Sequence, residues 1–212
     1  MFTSQGCSSC PPADKLLNSV KASYNSKNVI ALSYHVDYWN YIGWKDPFSK
    51  KRFSDKQRAY GSKFYSSTIY TPQIVVNGKE HFVGSKKEIL KDKLKTYLGK
   101  PSGNKIVITQ IEKNANQVSF NYKVDGTIAH KILRAALVLN ERTTSVSRGE
   151  NKNRVLKNSN IVVEEVYIDL NDATGKANIT IPQIVKEADE LALVTLVQTN
   201  SLDITGGFQT GL

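Results

Sequence analysis

The two cysteines of the chain stand close together near its beginning, in the order Cys7-Ser8-Ser9-Cys10. One pair cannot form a disulfide framework, and a complete zinc site would need two further ligands, for which the three histidines show no paired spacing. The spacing therefore favours a redox dithiol. A stabilising local disulfide and a Cu(I)-binding thiol pair remain as alternatives.

The residues after the second cysteine predict a helix. Pro11 and Pro12 come first, and apolar residues then recur at helical intervals, so we expect the helix to begin near Ser8. Free backbone donors and the helix dipole at that end would stabilise a thiolate at Cys7 and lower its pKa from about 8.5. Cys10, one turn later, would be the more buried, resolving thiol.

The rest of the first half alternates between apolar runs and helical patterns. Residues 29–36 form a short, branched run that is typical of a buried parallel strand. An aromatic-rich loop and a basic helical stretch follow. Thr71 and Pro72 then open a strand at 73–76, Asn77-Gly78 predicts a tight turn into 80–84, and a helix is expected over 86–98.

The pattern changes after residue 101 to alternation with a period of two, which predicts strands with one buried face. Several such strands separated by turn-like pairs suggest an all-β antiparallel, sandwich-like domain. The segment 99–103, Gly-Lys-Pro-Ser-Gly, is the predicted linker, so we expect two domains, 1–100 and 101–212.

Composition and charge exclude several classes of protein. The chain has 212 residues, 40% of them hydrophobic, which disfavours disorder, and its apolar runs are too short to span a membrane. Its net charge of +10 lies wholly in the first half, where 17 Lys and Arg face 7 Asp and Glu. The lysines are scattered without an interleaved aromatic motif, so we expect no binding of nucleic acid.

Several motifs together resemble one known family. They are residues 2–14 around the cysteines, His35-Val36-Asp37-Tyr38-Trp39, residues 43–48, Tyr70-Thr71-Pro72-Gln73, and Arg148-Gly149-Glu150-Asn151 with Arg154 and Leu156. The chain is similar to the thioredoxin-like, mostly exported bacterial proteins known as a domain of unknown function. The resemblance implies an α/β thioredoxin-like domain ahead of the β domain, and a periplasmic or extracellular location.

The resemblance also implies roles for the site residues. Cys7 would attack a disulfide, Cys10 would resolve the mixed disulfide, and Pro72 would be a cis-proline beside Thr71 that holds the incoming chain. No cofactor is implied beyond the Cys7–Cys10 pair. The partners would be protein or small-molecule thiols and disulfides.

The beginning of the chain departs from the family pattern. Only six residues precede Cys7, so we expect the N-terminal strand to be largely truncated, and we identify no signal peptide in this chain.

Other polar and aromatic residues are weaker candidates. His35 and Asp37 alternate at a predicted strand end, where active-site groups gather in α/β folds, and Trp39 and Trp44 could form a substrate-binding lip. Core packing of the same side chains is the alternative. A polar cluster in the second half would tie down its loop or bind an anion or a partner; its members are Arg148, Glu150, Asn151 and Arg154.

Two functions follow from these observations. The first is a thiol-disulfide oxidoreductase acting by dithiol exchange. The second is a binding or assembly module in which the cysteines form only a structural disulfide.

Overall fold

The structure, a computed structural model, describes residues 1–24 and 29–212. Within these residues the chain forms three α-helices and eleven strands, which are arranged in three sheets. The helices are α1 (Cys10–Ser23), α2 (Lys51–Lys63) and α3 (Lys87–Leu98). The strands are β1 (Phe2–Thr3), β2 (Tyr34–His35), β3 (Gln73–Val76), β4 (Glu80–Val83), β5 (Lys105–Lys113), β6 (Gln117–Asp125), β7 (Lys131–Ser145), β8 (Val155–Asp169), β9 (Thr174–Thr180), β10 (Leu191–Thr199) and β11 (Ile204–Gly211).

The chain divides into two compact units. The first consists of Met1–Gly99 together with Glu141–Ile161, and the second consists of Lys100–Asn140 and Val162–Leu212. A segment from the second half of the sequence is therefore part of the first unit. The domains expected from the sequence, 1–100 and 101–212, remain a prediction.

The sheet of the first unit has the order β2-β1-β3-β4. β1 pairs in parallel with β2 and antiparallel with β3, and Asn77 and Gly78 both adopt positive φ in the tight turn that joins β3 to β4. α1 begins at Cys10 because the prolines that follow need no intrahelical donor in the first turn. Its apolar face joins a core cluster, whose buried members are Met1, Ala13, Leu17, Val20, Ile74 and Leu90.

The other two sheets have the orders β11-β10-β7-β8 and β5-β6-β9. β6 shows the alternation most clearly, since Val118, Phe120, Tyr122 and Val124 are all buried. β10 pairs antiparallel with β7 and β11, and β6 pairs antiparallel with β5 and β9. The strands predicted from the period-two pattern are therefore present.

The fold class expected from the sequence is wrong. The described residues are mostly β-structure in three sheets, and they do not show a thioredoxin-like α/β domain followed by a separate sandwich-like domain. The physical reason lies in the apolar run at 29–36, from which a full-length strand was expected. Only Tyr34–His35 forms a strand there, so β1 and β2 share just two residue pairs, and most of the strand residues lie after Gly103.

Candidate functional site

Cys7 and Cys10 lie at the amino end of α1. Both are free thiols, and both are buried, with 1% and 0% of their surfaces exposed. The amide of Cys10 donates to the carbonyl of Cys7 at 3.2 Å, which closes a tight turn between them. The two thiols are thus held together by the start of the helix.

The Cys7 thiol is surrounded by hydrogen-bonding groups. Its Sγ lies 3.2 Å from Ser9 Oγ and 3.7 Å from the carbonyl oxygen of Thr71. Hydrogen bonds from Cys10, and then from the Ser9 and Thr71 side chains, lower the pKa of Cys7 to about 6, although burial acts to raise it. A large fraction of Cys7 is therefore a thiolate at neutral pH, and the thiolate is the nucleophilic form.

Cys10 and Asp14 share the buried face of α1, one turn apart. Burial, followed by the hydrogen bond and charge of Cys7, raises the pKa of Cys10 well above its ordinary range. Burial also raises the pKa of Asp14 to about 7, and Thr3 Oγ1 donates to Asp14 Oδ1 at 3.0 Å. The inner thiol is therefore protonated and stands beside a carboxyl group that titrates near neutrality.

Thr71 and Pro72 face the outer thiol, and the peptide bond between them is cis. Trp39 Nε1 donates to Thr71 Oγ1 at 2.8 Å, so one predicted aromatic residue does lie at this loop. Gln57, which is fully buried on α2, donates from Nε2 to the carbonyl oxygen of Tyr70 at 2.7 Å. These two hydrogen bonds position the loop that presents its carbonyl to Cys7.

Trp44 reaches the segment that precedes Cys7 through a hydrogen bond to Gln5. Its Nε1 donates to Gln5 Oε1 at 3.2 Å, and Gln5 Nε2 donates to Thr144 Oγ1 and Asn158 Oδ1 at 3.1 and 3.0 Å. Trp44 therefore contacts the segment that leads into Cys7, and it is not hydrogen-bonded to the Thr71 loop among the described residues.

His35 and Asp37 have different surroundings although they are two residues apart. His35 Nδ1 lies 2.7 Å from Asp46 Oδ2, and both side chains are fully buried. Burial lowers the pKa of His35, but the charge and hydrogen bond of Asp46 outweigh it and raise the pKa above its ordinary value. Asp37 accepts a hydrogen bond from Ser54 on α2.

Residues 146–154 form a loop, here called the clamp loop, whose side chains reach the cysteine segment. Asn151 is fully buried, and its Nδ2 donates to the carbonyl oxygens of Gln5 and Cys7, both at 2.9 Å. Arg154 Nη1 donates to Asn151 Oδ1 at 2.8 Å. Glu150 Oε2 accepts the Ser8 amide at 2.8 Å, and this bonding to Ser8 lowers the pKa of Glu150.

The structure brings together most of the site residues predicted from the sequence. Cys7, Cys10, Thr71, Pro72, Trp39, Glu150 and Asn151 meet at the amino end of α1, while Asp37 is directed towards α2. Arg148 lies apart from this group, with its Cβ close to Gly43.

Sequence reasoning assigned no role to Asp14, Asp46 or Ser9. Asp14 could have been found, because it lies four residues after Cys10 on a face that also carries Ala13 and Leu17, and a carboxyl group on an apolar face signals a special environment. Asp46 accepts the Gln5 and Phe48 amides in addition to contacting His35. No feature of the sequence predicts these contacts of Asp46.

The described residues contain no group of three or more His, Cys, Asp or Glu side chains that could hold a metal ion. Within the same residues, no helix is long and apolar enough to cross a membrane.

A family model and several solved structures match this chain. The model of a family described as "Protein of unknown function (DUF1223)" matches residues 1–198. The chain belongs to the DUF1223 family. A search of the curated proteins gives no match.

Two solved structures are similar to this DUF1223 chain. One is the crystal structure of a protein from Agrobacterium tumefaciens, with 25% identity, a TM-score of 0.71, and coverage of 98% of this chain and 90% of that one. The other is HBP35 of Porphyromonas gingivalis, with 16% identity, a TM-score of 0.70, and coverage of 100% and 73%. The second likeness concerns the fold alone.

Proposed function

We propose that the protein carries out thiol-disulfide exchange through Cys7 and Cys10, on protein or small-molecule thiols and disulfides. The observation that supports this best is that two neighbouring free thiols have different surroundings and pKa values shifted in opposite directions. Cys7 lies among hydrogen bonds that favour its thiolate, whereas Cys10 is enclosed and protonated beside Asp14. A pair that served only as a local disulfide would need no such asymmetry.

In the first step, the Cys7 thiolate attacks one sulfur of a substrate disulfide. The substrate S–S bond breaks, a Cys7–substrate disulfide forms, and the other half of the substrate leaves as a thiolate. The Ser9 hydroxyl, 3.2 Å from Cys7 Sγ, donates to the sulfur while it is an anion. The carbonyl of Thr71 lies 3.7 Å from the sulfur and is a main-chain acceptor for an incoming extended chain.

In the second step, Cys10 resolves the mixed disulfide. Its thiol must first lose a proton, and the Asp14 carboxylate, one turn further along α1, is the acceptor that the burial of both side chains favours. The Cys10 thiolate then attacks Cys7 Sγ and expels the second substrate thiolate. The substrate disulfide is reduced by two electrons, the Cys7–Cys10 dithiol is oxidised, and a second dithiol protein or reagent would restore it.

Substrate access requires a local movement, because Cys7 has only 1% of its surface exposed. Ser9 is the exposed residue whose side chain bridges Cys7 Sγ and the Thr71 carbonyl, at 3.2 and 3.4 Å. We expect the Ser9 side chain to move away from the Thr71 carbonyl as substrate enters, at the cost of one hydrogen bond of ordinary strength.

The experiment is a count of thiols released from a neutral symmetrical disulfide, bis(2-hydroxyethyl) disulfide, by the fully reduced protein. The wild-type chain should release two thiols per protein and end with a Cys7–Cys10 disulfide. Cys10→Ser should release one and retain a mixed disulfide on Cys7, and Cys7→Ser should release none on that time scale.

The two serine variants are matched controls for each other, since each removes one sulfur at the same helix end. Equal, slow release by both variants would refute the assignment of nucleophile and resolving thiol. In that case the binding or assembly module, with a purely structural pair of cysteines, would be the better account.

A further inference from the structure

The clamp loop brings a carboxylate to the same helix end that activates Cys7. The two amides that follow Cys7 along the chain have different acceptors. The Ser9 amide is directed at the sulfur and helps to lower its pKa, whereas the Ser8 amide is bound by Glu150 Oε2 at 2.8 Å. The two amides that immediately precede α1 are therefore divided between two anions, the Cys7 thiolate and the Glu150 carboxylate.

The loop is built in a way that holds this carboxylate in place. Asn151 uses both hydrogens of its buried amide on the Gln5 and Cys7 carbonyls, and its oxygen accepts from Arg154. Within the loop, the amide of Asn153 donates to the carbonyl of Val146 at 2.8 Å. The Asn151 amide nitrogen thus joins the loop to the cysteine segment, and its oxygen is held within the loop by Arg154.

Gly149 completes the construction. Its φ of +75° lies in the left-handed region, and a Cβ there would stand 3.2 Å from Ile42 Cδ1 and 3.4 Å from Trp44 Cβ. Glycine lets the loop turn back at this point and pack against the 42–44 segment without a clash. The residue that follows it is Glu150, which is thereby directed to Ser8.

We propose that Glu150 is a positioning residue that limits the reactivity of Cys7, by holding a negative charge and a hydrogen-bond acceptor against the Ser8 amide. Glu150 does not touch the reacting sulfur in this arrangement, and it acts through the amide next to it. The inference rests on the proposed exchange reaction at Cys7, and it adds that a loop from the second half of the sequence sets the rate of that reaction.

The sign of the effect follows from simple electrostatics. A carboxylate beside a thiolate disfavours the thiolate, and it also withdraws a donor that would otherwise stabilise the anion. Removing the charge should therefore lower the pKa of Cys7 further. Because Glu150 is exposed, screening keeps the shift small, about 0.3 to 0.5 unit, which corresponds to about a two- to threefold change in thiolate population below the pKa.

Other titratable groups also face Cys7 and must be considered. Cys10 and Asp14 approach it from α1, and Tyr38 approaches from the segment after β2. Burial raises the pKa of Tyr38 to about 12 and that of Cys10 well above its ordinary range, so neither changes charge between pH 5 and 9. Asp14 does titrate in this range, but it is common to the wild-type protein and the variants below.

The test is the rate of Cys7 alkylation by iodoacetamide as a function of pH, in the reduced full chain. Iodoacetamide is neutral, so its approach is not steered by charge. Glu150→Gln keeps the side-chain shape and an oxygen that can accept the Ser8 amide, but removes the charge. We expect the pH profile of Glu150→Gln to move down by about 0.3 to 0.5 unit, with alkylation about 1.5 to 2 times faster at pH 5.5 and nearly unchanged at pH 9.

Glu141→Gln is the matched control. Glu141 lies in the same unit and forms an ion pair with Lys157 at 2.7 Å, and it does not bond to the cysteine segment among the described contacts. This variant should leave the pH profile in place. In 1 M salt, the difference between Glu150→Gln and the wild-type protein should shrink, since the Debye length falls to about 3 Å.

A Glu150→Gln profile that superimposes on the wild-type profile would overturn the inference, and so would an equal shift in Glu141→Gln. The result is separable from the proposed function. If the wild-type chain exchanges disulfides and the alkylation profile of Glu150→Gln equals that of the wild type, the inference alone is overturned. A Glu150-dependent alkylation profile in a chain without exchange activity overturns the proposed function alone.

Discussion

At the scale of single residues, the asymmetry between Cys7 and Cys10 comes from a few neighbours. Ser9 and the Thr71 carbonyl surround the outer sulfur, while Asp14 shares the enclosed side of α1 with the inner one. Each neighbour acts on one thiol, so each can be tested separately.

Removing the hydroxyl of Ser9 should raise the pKa of Cys7. Ser9→Ala deletes a donor to the thiolate at 3.2 Å, and a neutral hydrogen bond is worth about 1 kcal/mol, so the expected rise is about 0.5 to 1 unit. The measurement is thiolate absorbance near 240 nm during a pH titration of the reduced protein.

Ser19→Ala is the control for this change, because Ser19 lies on the same helix and donates to the carbonyl oxygen of Leu16 instead. A Cys7 titration that moves equally in both variants, or does not move in Ser9→Ala, would contradict the role given to Ser9.

Asp14 should make the stability of the reduced protein fall with rising pH. Its folded-state pKa is raised to about 7, whereas an unfolded Asp titrates near 3.8, so the folded chain holds the extra proton between these values. Stability from this group is therefore complete below about pH 4 and is lost as the pH rises to about 7. Asp14→Asn should remove this dependence, which amounts to a few kcal/mol at about 1.4 kcal/mol per pKa unit.

The measurement is the free energy of unfolding in urea at pH 4 and pH 8 for the wild-type chain and Asp14→Asn, with Asp92→Asn on the exposed side of α3 as control. Asp14→Asn should also release the second thiol of a disulfide substrate more slowly than the first. A pH dependence of stability that is identical in the wild-type chain and Asp14→Asn would show that Asp14 titrates normally.

At the scale of elements, α1 and the clamp loop depend on each other. The helix supplies amides and carbonyls at its start, and the loop supplies Glu150 and Asn151 to bind them. Buried carbonyls that lose their donors carry a desolvation cost, so the loop contributes to stability as well as to position.

Truncating Asn151 should test this directly. Asn151→Ala removes two donations at 2.9 Å from a fully buried site and leaves the Gln5 and Cys7 carbonyls without those donors. We expect a loss of about 1 to 3 kcal/mol in the free energy of unfolding, measured by urea denaturation.

Asn153→Gly provides the control within the same loop. Asn153 is exposed and adopts a φ of +65°, which glycine reaches without cost, so this variant should keep wild-type stability and reactivity. A loss of stability in Asn153→Gly as large as that in Asn151→Ala would mean that any change in the loop lowers stability, and that the two Asn151 hydrogen bonds have no particular role.

At the scale of the whole molecule, sequence patterns within a few residues predicted individual strands and turns, but they did not predict the overall arrangement of the sheets. Period-two alternation identified β6 and β10, and Asn77-Gly78 identified the turn between β3 and β4, because those signals lie within a few residues. The strand expected over 29–36 is wrong for most of its length. An apolar run indicates that a segment is buried, but it does not show whether the backbone pairs with a neighbouring strand.

The candidate site shows the same division. The cysteine spacing and the Thr71-Pro72 pair marked its centre, since both are short motifs. The contact of Gln5 with Asn158, 153 residues apart, and the donation from Asn151 to the Cys7 carbonyl depend on the folded chain. The polar cluster at 148–154 was visible in the sequence, but its target was not.

Charge is also unevenly distributed at this scale. The residues of the first unit, 1–99 and 141–161, include 21 Lys and Arg against 9 Asp and Glu, so this unit carries the positive excess of the chain. A positive environment favours a thiolate, and Glu150 acts against it at close range.

The proposed exchange requires that Cys7 and Cys10 form a working redox pair. The most direct test is the equilibrium reduction potential of the pair, measured by titrating the full chain in thiol-disulfide buffers and counting free thiols. We predict a reversible two-electron transition between about −270 and −120 mV, the range of pairs that exchange disulfides. A potential below about −300 mV, typical of structural disulfides, would contradict the claim.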